Sequence, residues 1–117
     1  MYALGQMAEA TRQGAAQGVH DIVCRSIRAK RHVRLVYKGG ERIVEPYLLF
    51  ATRAGDLVLH GWQVAGAWET TPPPDWANLK LADVSSVVPL DRTYTEPHPG
   101  YNPDSPRFHR IICQAPR

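Results

Sequence analysis

The chain has few of the residues that carry recognisable chemistry. Two cysteines occur in 117 residues, Cys24 and Cys113, and neither belongs to a CxxC pair. The five histidines, His20, His32, His60, His98 and His109, show no HxxxH or HExxH spacing. The usual zinc-ligand patterns are therefore excluded. Both cysteines are read as reduced, small apolar side chains of a cytosolic chain. No run approaches the roughly 20 apolar residues of a membrane-spanning helix. Residues 1–21 lack the basic-then-apolar layout of a signal peptide, so a soluble, cytoplasmic protein is expected.

Catalytic fingerprints are missing as well. GxGxxG, GxxxxGK[ST] and the nucleophile elbow GxSxG do not occur. Ser85 and Ser86 have no histidine near them in sequence. Asp56 and His60 lie four residues apart on an expected strand, which at ~3.3 Å per residue separates them by roughly 13 Å. That is beyond hydrogen-bond reach. The expectation is a non-enzymatic protein with no metal and no cofactor.

What is present is a single-domain complement of apolar residues, 44% of the chain, with a formal net charge of +3 and a pI near 9.1. Such a balance permits an anionic partner without requiring one. The cations are unevenly placed. Arg25, Arg28, Lys30, Arg31, Arg34 and Lys38 follow one another with no acid between them. Either this is a solvated helix face running into a strand, or Arg25, Arg28, Arg31, Arg34 and Lys38 form a phosphate-facing patch.

Residues 1–19 are read as a flexible lead-in broken by Gly5, Gly14 and Gly18, with a weak helix around 6–13. Residues 20–117 are read as one domain, with its core at about 22–95 and a proline-rich extension over 96–117 that ends in a short strand. Asp21 is the expected N-cap of an amphipathic helix over 22–31. Beyond it the period changes to two, Val33, Leu35 and Tyr37 alternating with Arg34, Val36 and Lys38. Gly39-Gly40 signals a hairpin. A second strand follows and contains Glu45-Pro46, which reads as a bulge because proline has no N–H for the ladder. Such a bulge would place Val44 on one side with Tyr47 or Leu49 despite their different parity. Glu45 either pairs with Arg42 or Lys80 or stands in solvent.

A third strand spans 57–66, with Gly61 marking a bulge or a close backbone approach. Pro72-Pro73-Pro74 stiffens a loop. A fourth strand, a one-turn helix from Asp83 and a fifth strand complete the core. One helix followed by several short strands predicts a mainly β (α+β) fold, a small curled barrel of about five strands. Within it, Tyr37, Arg42, Tyr47, His60, Trp62, Gln63 and Lys80 are the candidate ligand-binding residues. The bland alternative is ordinary lining and packing. In the functional reading the cations grip phosphate or carboxylate and the aromatic faces stack on bases.

The run from Arg34 through "YKGGERIVEP", "GDLVLHGWQ" and "LKLADVSSVVPL" resembles a WYL domain. The resemblance covers about residues 22–95. Tyr37 closes the first strand, Arg42 with Val44, Glu45 and Pro46 matches the second, and Leu57, Val58 and Leu59 occupy the naming triplet. Leu79 to Val84 occupy the last motif, with Lys80 where the family usually carries arginine. The 97–103 stretch is similar to that of short stand-alone bacterial relatives. The resemblance implies an Sm-like, SH3-type barrel preceded by a helix. It also implies a bacterial regulatory module that binds nucleic acid, single-stranded included, or nucleotide-like anions in transcription regulation. The naming Trp and Tyr are absent, and no helix-turn-helix accompanies the barrel. The alternative is a structural or protein-interaction module, acting through a partner or as a homodimer by way of the strand in 107–114.

Overall fold

A computed structural model describes residues 18–116, so most of the expected lead-in lies outside the described residues. Residues 18–28 are helical (α1), which puts Asp21 inside the helix rather than at its N-cap. The helix ends before the expected residue 31 because Lys30 adopts a left-handed φ of 55°, a conformation that commonly closes helices. Its amide still reaches back to the Ile27 carbonyl.

Six strands follow: β1 Arg31–Tyr37, β2 Gly40–Ala51, β3 Leu57–Gly66, β4 Asp75–Lys80, β5 Val84–Thr93 and β6 Arg110–Gln114. All pairings are antiparallel, in the order β4-β3-β2-β1-β5, with β6 added to β2. The hairpin between β1 and β2 turns at Lys38 and Gly39, with φ of 49° and 81°, while Tyr37 pairs with Gly40. Positive φ at both central residues suits the twist of the flanking strands. The turn therefore lies one residue earlier than the glycine pair suggests. A single 3-10 turn, Leu81–Asp83, joins β4 to β5, two residues ahead of the one-turn helix expected from Asp83. Ser85 and Ser86 accordingly lie on strand β5 rather than in a helical turn.

The sheet is open, not a closed barrel: among the described residues no ladder joins β4 to β5. It is nevertheless strongly curled. β4 and β5 stand at opposite ends of the strand order, yet only three residues connect them, a span of at most about 14 Å between the strand ends. The curl originates in β2. Its register shifts against β3 between Ile43 and Val44 and again between Pro46 and Leu48. On its other edge Gly40–Val44 pair with β1 and Leu48–Ala51 with β6, so Glu45, Pro46 and Tyr47 face no strand there. Proline occupies the one stretch where that edge needs no N–H. Gly61 lies opposite Pro46, and a Cβ there would collide with the Glu45 carbonyl, the close approach expected of it.

Two apolar clusters lie on opposite faces of the sheet. Val23, Cys24 and Ile27 of α1 pack with Val33, Leu35, Val44, Leu49, Leu59 and Leu79. Tyr47, Leu48, Phe50 and Val58 pack with Tyr94 and Phe108 on the other face. The bulge places Val44 and Leu49 together and sends Tyr47 to the far side. Residues 94–108, which run from the end of the expected core into the proline-rich extension, form the cover of that second face.

Cys24 and Cys113 form a disulfide between α1 and β6, with Cα atoms 5.8 Å apart, which corrects their reading as reduced thiols. Spacing reveals only local pairs. This one arises because β6 docks beside β2 and so comes under the helix. No helix among the described residues is long and apolar enough to cross a membrane.

The disulfide closes a loop of 89 residues. Replacing both cysteines by serine is expected to lower unfolding free energy by about 4–5 kcal/mol in urea titration, chiefly through the freed unfolded chain.

Candidate anion-binding cleft

The seven candidate residues do not form one site. Register sorts them, because directly opposed residues share a face. Arg42 faces Leu35, and Gln63 faces Val44, which puts Arg42 and Gln63 on the helix-covered side with Tyr37. Trp62 faces Trp76 and His60 faces Asn78 on the opposite side, where Tyr47 also lies. Lys80 follows Leu79, a residue of the first core, and so points to the face opposite Arg42. Its ammonium lies 3.7 Å from Asp56 Oδ2 in an exposed pair, the kind that contributes about 0–1 kcal/mol. Asp56 is thus a partner of Lys80, not of His60, and Lys80 takes no part in a site with Arg42.

Tyr37, Arg42 and Gln63 line a cleft of about 240 Å³ together with Lys38, Trp68, Glu69, Thr70 and Asp75. Arg42 lies at its buried edge, 8% exposed. Its Nη1 donates to Gln63 Oε1 at 3.3 Å, and Gln63 Nε2 in turn donates to the Ala67 carbonyl at 2.8 Å. The guanidinium carbon sits 4.8 Å from the Tyr37 ring centroid, a cation–π contact. Nη2 lies 3.5 Å from Glu69 Oε1, and Nε is buried with no hydrogen-bond partner. A guanidinium offers five donors. Here one makes a hydrogen bond and a second nitrogen only a loose ion pair, which is poor compensation for a buried charge. Sequence reasoning found Tyr37, Arg42 and Gln63, but it placed Lys38 elsewhere and missed Trp68 and Glu69. An indole and a carboxylate within an otherwise polar, proline-rich loop were the available signal.

The opposite face is a packed aromatic layer. His98 stacks on Trp62 with ring centroids 3.6 Å apart, Tyr101 lies 5.0 Å from Tyr47, and Phe108 lies 4.9 Å from His60. His60 is also stacked on Trp76 at 5.1 Å. Tyr47, His60 and Trp62 are therefore covered by the chain's own 94–108 segment, which occupies the ring faces a base would use. His60 Nδ1 bonds Asn78 Oδ1 at 2.9 Å. Burial, reinforced by the nearby Arg107 charge, holds its pKa below the ordinary 6.5, against the opposing Asn78 bond.

Glu45 contacts neither Arg42 nor Lys80. Its Oε1 lies 3.1 Å from His32 Nε2, and its Oε2 accepts a short hydrogen bond from Tyr47 Oη. His32 Nδ1 faces the Arg92 carbonyl at 3.2 Å, and the His98 amide donates to Tyr47 Oη at 2.7 Å. Burial first, then the bond to Glu45, pushes the Tyr47 phenol well above its ordinary pKa, so it stays a donor. This chain of bonds ties β1, β2 and the 94–108 segment together.

Three of the six cations in the basic run are met by acids. Arg31 pairs with Asp91 at 3.5 Å, Arg34 with Glu41 at 3.6 Å and Lys38 with Glu69 at 3.9 Å. Arg25 and Arg28 are exposed on α1 near Asp21, whose carbonyl accepts from Arg25 Nε at 3.4 Å, and neither forms an ion pair among the described residues. Those residues also hold no cluster of His, Cys, Asp and Glu fit for a metal ion.

Comparisons with family models, with curated proteins and with solved structures return no match.

Two outcomes follow. His60 takes up protons less readily folded than unfolded, so the unfolded chain binds more protons as pH falls below about 6.5. Stability is therefore full above that value and declines beneath it. His60→Phe should flatten this slope in urea midpoints measured between pH 7.5 and 5. Glu45→Ala, by stripping His32 and Tyr47 of a shared acceptor, is expected to cost about 2–3 kcal/mol in denaturant titration at neutral pH.

Proposed function

We propose that this protein is a non-enzymatic binding module whose ligand is a small oxyanion, or the anionic end of a nucleotide-like molecule, held at Arg42. The observation that carries the reading is the buried, under-bonded Arg42 guanidinium at the edge of an open cleft. Carboxylate and phosphate are the natural partners of its planar fork. The Tyr37 face holds the guanidinium in place, and Lys38 supplies a second cation at the rim. At about 240 Å³ the cleft is below the ~300–1,000 Å³ usual for whole drug-sized ligands, which favours one anionic group over a length of nucleic acid.

The resemblance to WYL domains, with their Sm-like, SH3-type barrel and regulatory role, points the same way, and the curled six-strand sheet is compatible with it. A role in bacterial transcription regulation is part of that proposal. A cytoplasmic setting is the part that the Cys24–Cys113 bond argues against, because disulfides persist in oxidising compartments.

The test is titration with adenosine monophosphate, read by tryptophan fluorescence, since the exposed Trp68 lines the cleft. Saturable binding is expected, weakened about 10–100-fold in Arg42→Met and less in Arg42→Lys. Equal affinity in Arg42→Met would sink the proposal. Labelled single-stranded oligonucleotides at several salt concentrations separate the polymer reading. Five engaged cations predict a log–log slope near −3.5, at ~0.7 per phosphate, whereas Arg25 and Arg28 alone predict about −1.4. A shallow slope is expected. A concentration-dependent dimer without anion binding would instead favour the interaction-module alternative.

A further inference from the structure

The Arg42 cleft already faces an oxyanion, and that oxyanion belongs to the protein. Glu69 Oε1 lies 3.5 Å from Arg42 Nη2 and 3.9 Å from Lys38 Nζ. We propose that Glu69 is an intramolecular competitor for the ligand. Its carboxylate holds the position between Arg42 and Lys38, and a small external phosphate or carboxylate binds by displacing it. The inference rests on the proposed function and adds a regulatory element to the same site.

Three features support displacement over a permanent structural pair. First, both distances exceed the ~2.7–2.9 Å of a charge-assisted hydrogen bond, so attraction without a directed bond holds Glu69 in place. A ligand oxyanion that also reached the unpaired Nε would gain the directed bonds that Glu69 lacks. Second, the two partners differ in burial. The Arg42 side chain is 10% exposed and fixed by Gln63 and Tyr37, whereas that of Glu69 is 59% exposed. Released, Glu69 returns to water at little cost, while Arg42 cannot leave.

Third, the segment carrying Glu69 is tied down only at its root. Gly66, at φ 104°, stands opposite Arg42 where a Cβ would strike the Glu41 carbonyl, so the chain leaves β3 directly over the Arg42 backbone. The Ala67 amide then donates to the Glu41 carbonyl at 2.8 Å, and the Ala67 carbonyl accepts from Gln63. Among the described residues, none from Trp68 to Pro74 makes a hydrogen bond, and the Trp68 indole is 53% exposed. The loop is placed to carry Glu69 in or out while Arg42 and Gln63 stay where they are.

Self-competition lowers apparent affinity by the fraction of molecules whose site is open. Glu69→Gln should therefore bind adenosine monophosphate and succinate about three- to tenfold more tightly than the parent chain, by calorimetry at fixed salt. The phosphate and carboxylate arms identify which source of oxyanion the cleft prefers. Asp75→Asn removes one negative charge from the same cleft wall, keeps the oxygen that accepts from the Trp76 amide, and should change affinity less than twofold. In the parent chain, ligand should lower the backbone order of residues 68–71 in amide NMR relaxation, and Glu69→Gln should show that lower order with no ligand present.

Unchanged or weaker affinity in Glu69→Gln, with binding still lost in Arg42→Met, would overturn the competitor and leave the site standing. Equal gains in Asp75→Asn and Glu69→Gln would overturn it too, since bulk charge would then suffice. Absence of binding in parent and Glu69→Gln alike would remove the site itself.

Discussion

β2 is built around a residue that cannot donate a ladder hydrogen bond. Pro46 sits between the stretch that pairs with β1 and the stretch that pairs with β6, and the Tyr94 hydroxyl donates to its free carbonyl at 2.8 Å. A single strand pairing one neighbour along its whole length would stay on that neighbour's plane. The register shift between Pro46 and Leu48 instead bends β2 and increases its twist. Gly61 permits this, because only a residue without Cβ lets β3 follow the bend at such short range. The bend lets one strand serve two partners in succession on the same edge.

The rest of the architecture follows from that bend. It carries Val44 and Leu49 to one face despite their parity, and Tyr47, Leu48 and Phe50 to the other, so every residue of β2 after Pro46 is buried. Burial on both faces requires a cover on each side. The helix covers one, fixed through Cys24 and Cys113, and residues 94–108 cover the other. Glu45 is the polar counterpart of the proline. Set in the unpaired gap, its carboxylate takes bonds from His32 and Tyr47 and so connects β1 to the returning chain. Arg42, three residues earlier, is still on the regular part of β2. That is why it stays with Tyr37 and Gln63 at the open mouth of the first core while the aromatic residues are enclosed behind the sheet.

These outcomes were unevenly legible in the sequence. The alternation of Val33, Leu35 and Tyr37 identified β1 because a half-buried strand imposes it, and Glu45-Pro46 and Gly61 identified the bulge because their backbone limits are local. Grouping Lys80 with Arg42 failed for a definable reason. Parity along β4 shows that Leu79 and Lys80 face opposite ways, but which of them shares a face with Arg42 depends on register through β3, and no local signal reports that. Tyr47, His60 and Trp62 were grouped with Arg42 in one site, whereas they share the opposite face, each against Trp76. Their cover was not legible, because it is a proline-rich stretch without periodicity whose rings dock from a distance. The disulfide joins residues 89 apart, so spacing was silent about it.

The fate of the basic run shows why charge density in a sequence is a weak guide to a binding surface. Arg31 and Arg34 lie on a strand whose neighbours bring Asp91 and Glu41 alongside. An exposed cation with such a partner offers an incoming phosphate little that the acid does not already supply. Arg42 belongs to a different class despite being a single charge. It has been taken out of water, its position is set by Gln63 below and Tyr37 beside it, and part of its donor set is unfilled. In a low-dielectric setting an unfilled donor carries a larger penalty than several solvated cations together. The affinity for an anion therefore concentrates where burial and incomplete bonding coincide. Glu69, loosely held and mostly in water, is the carboxylate the fold has placed closest to that deficit.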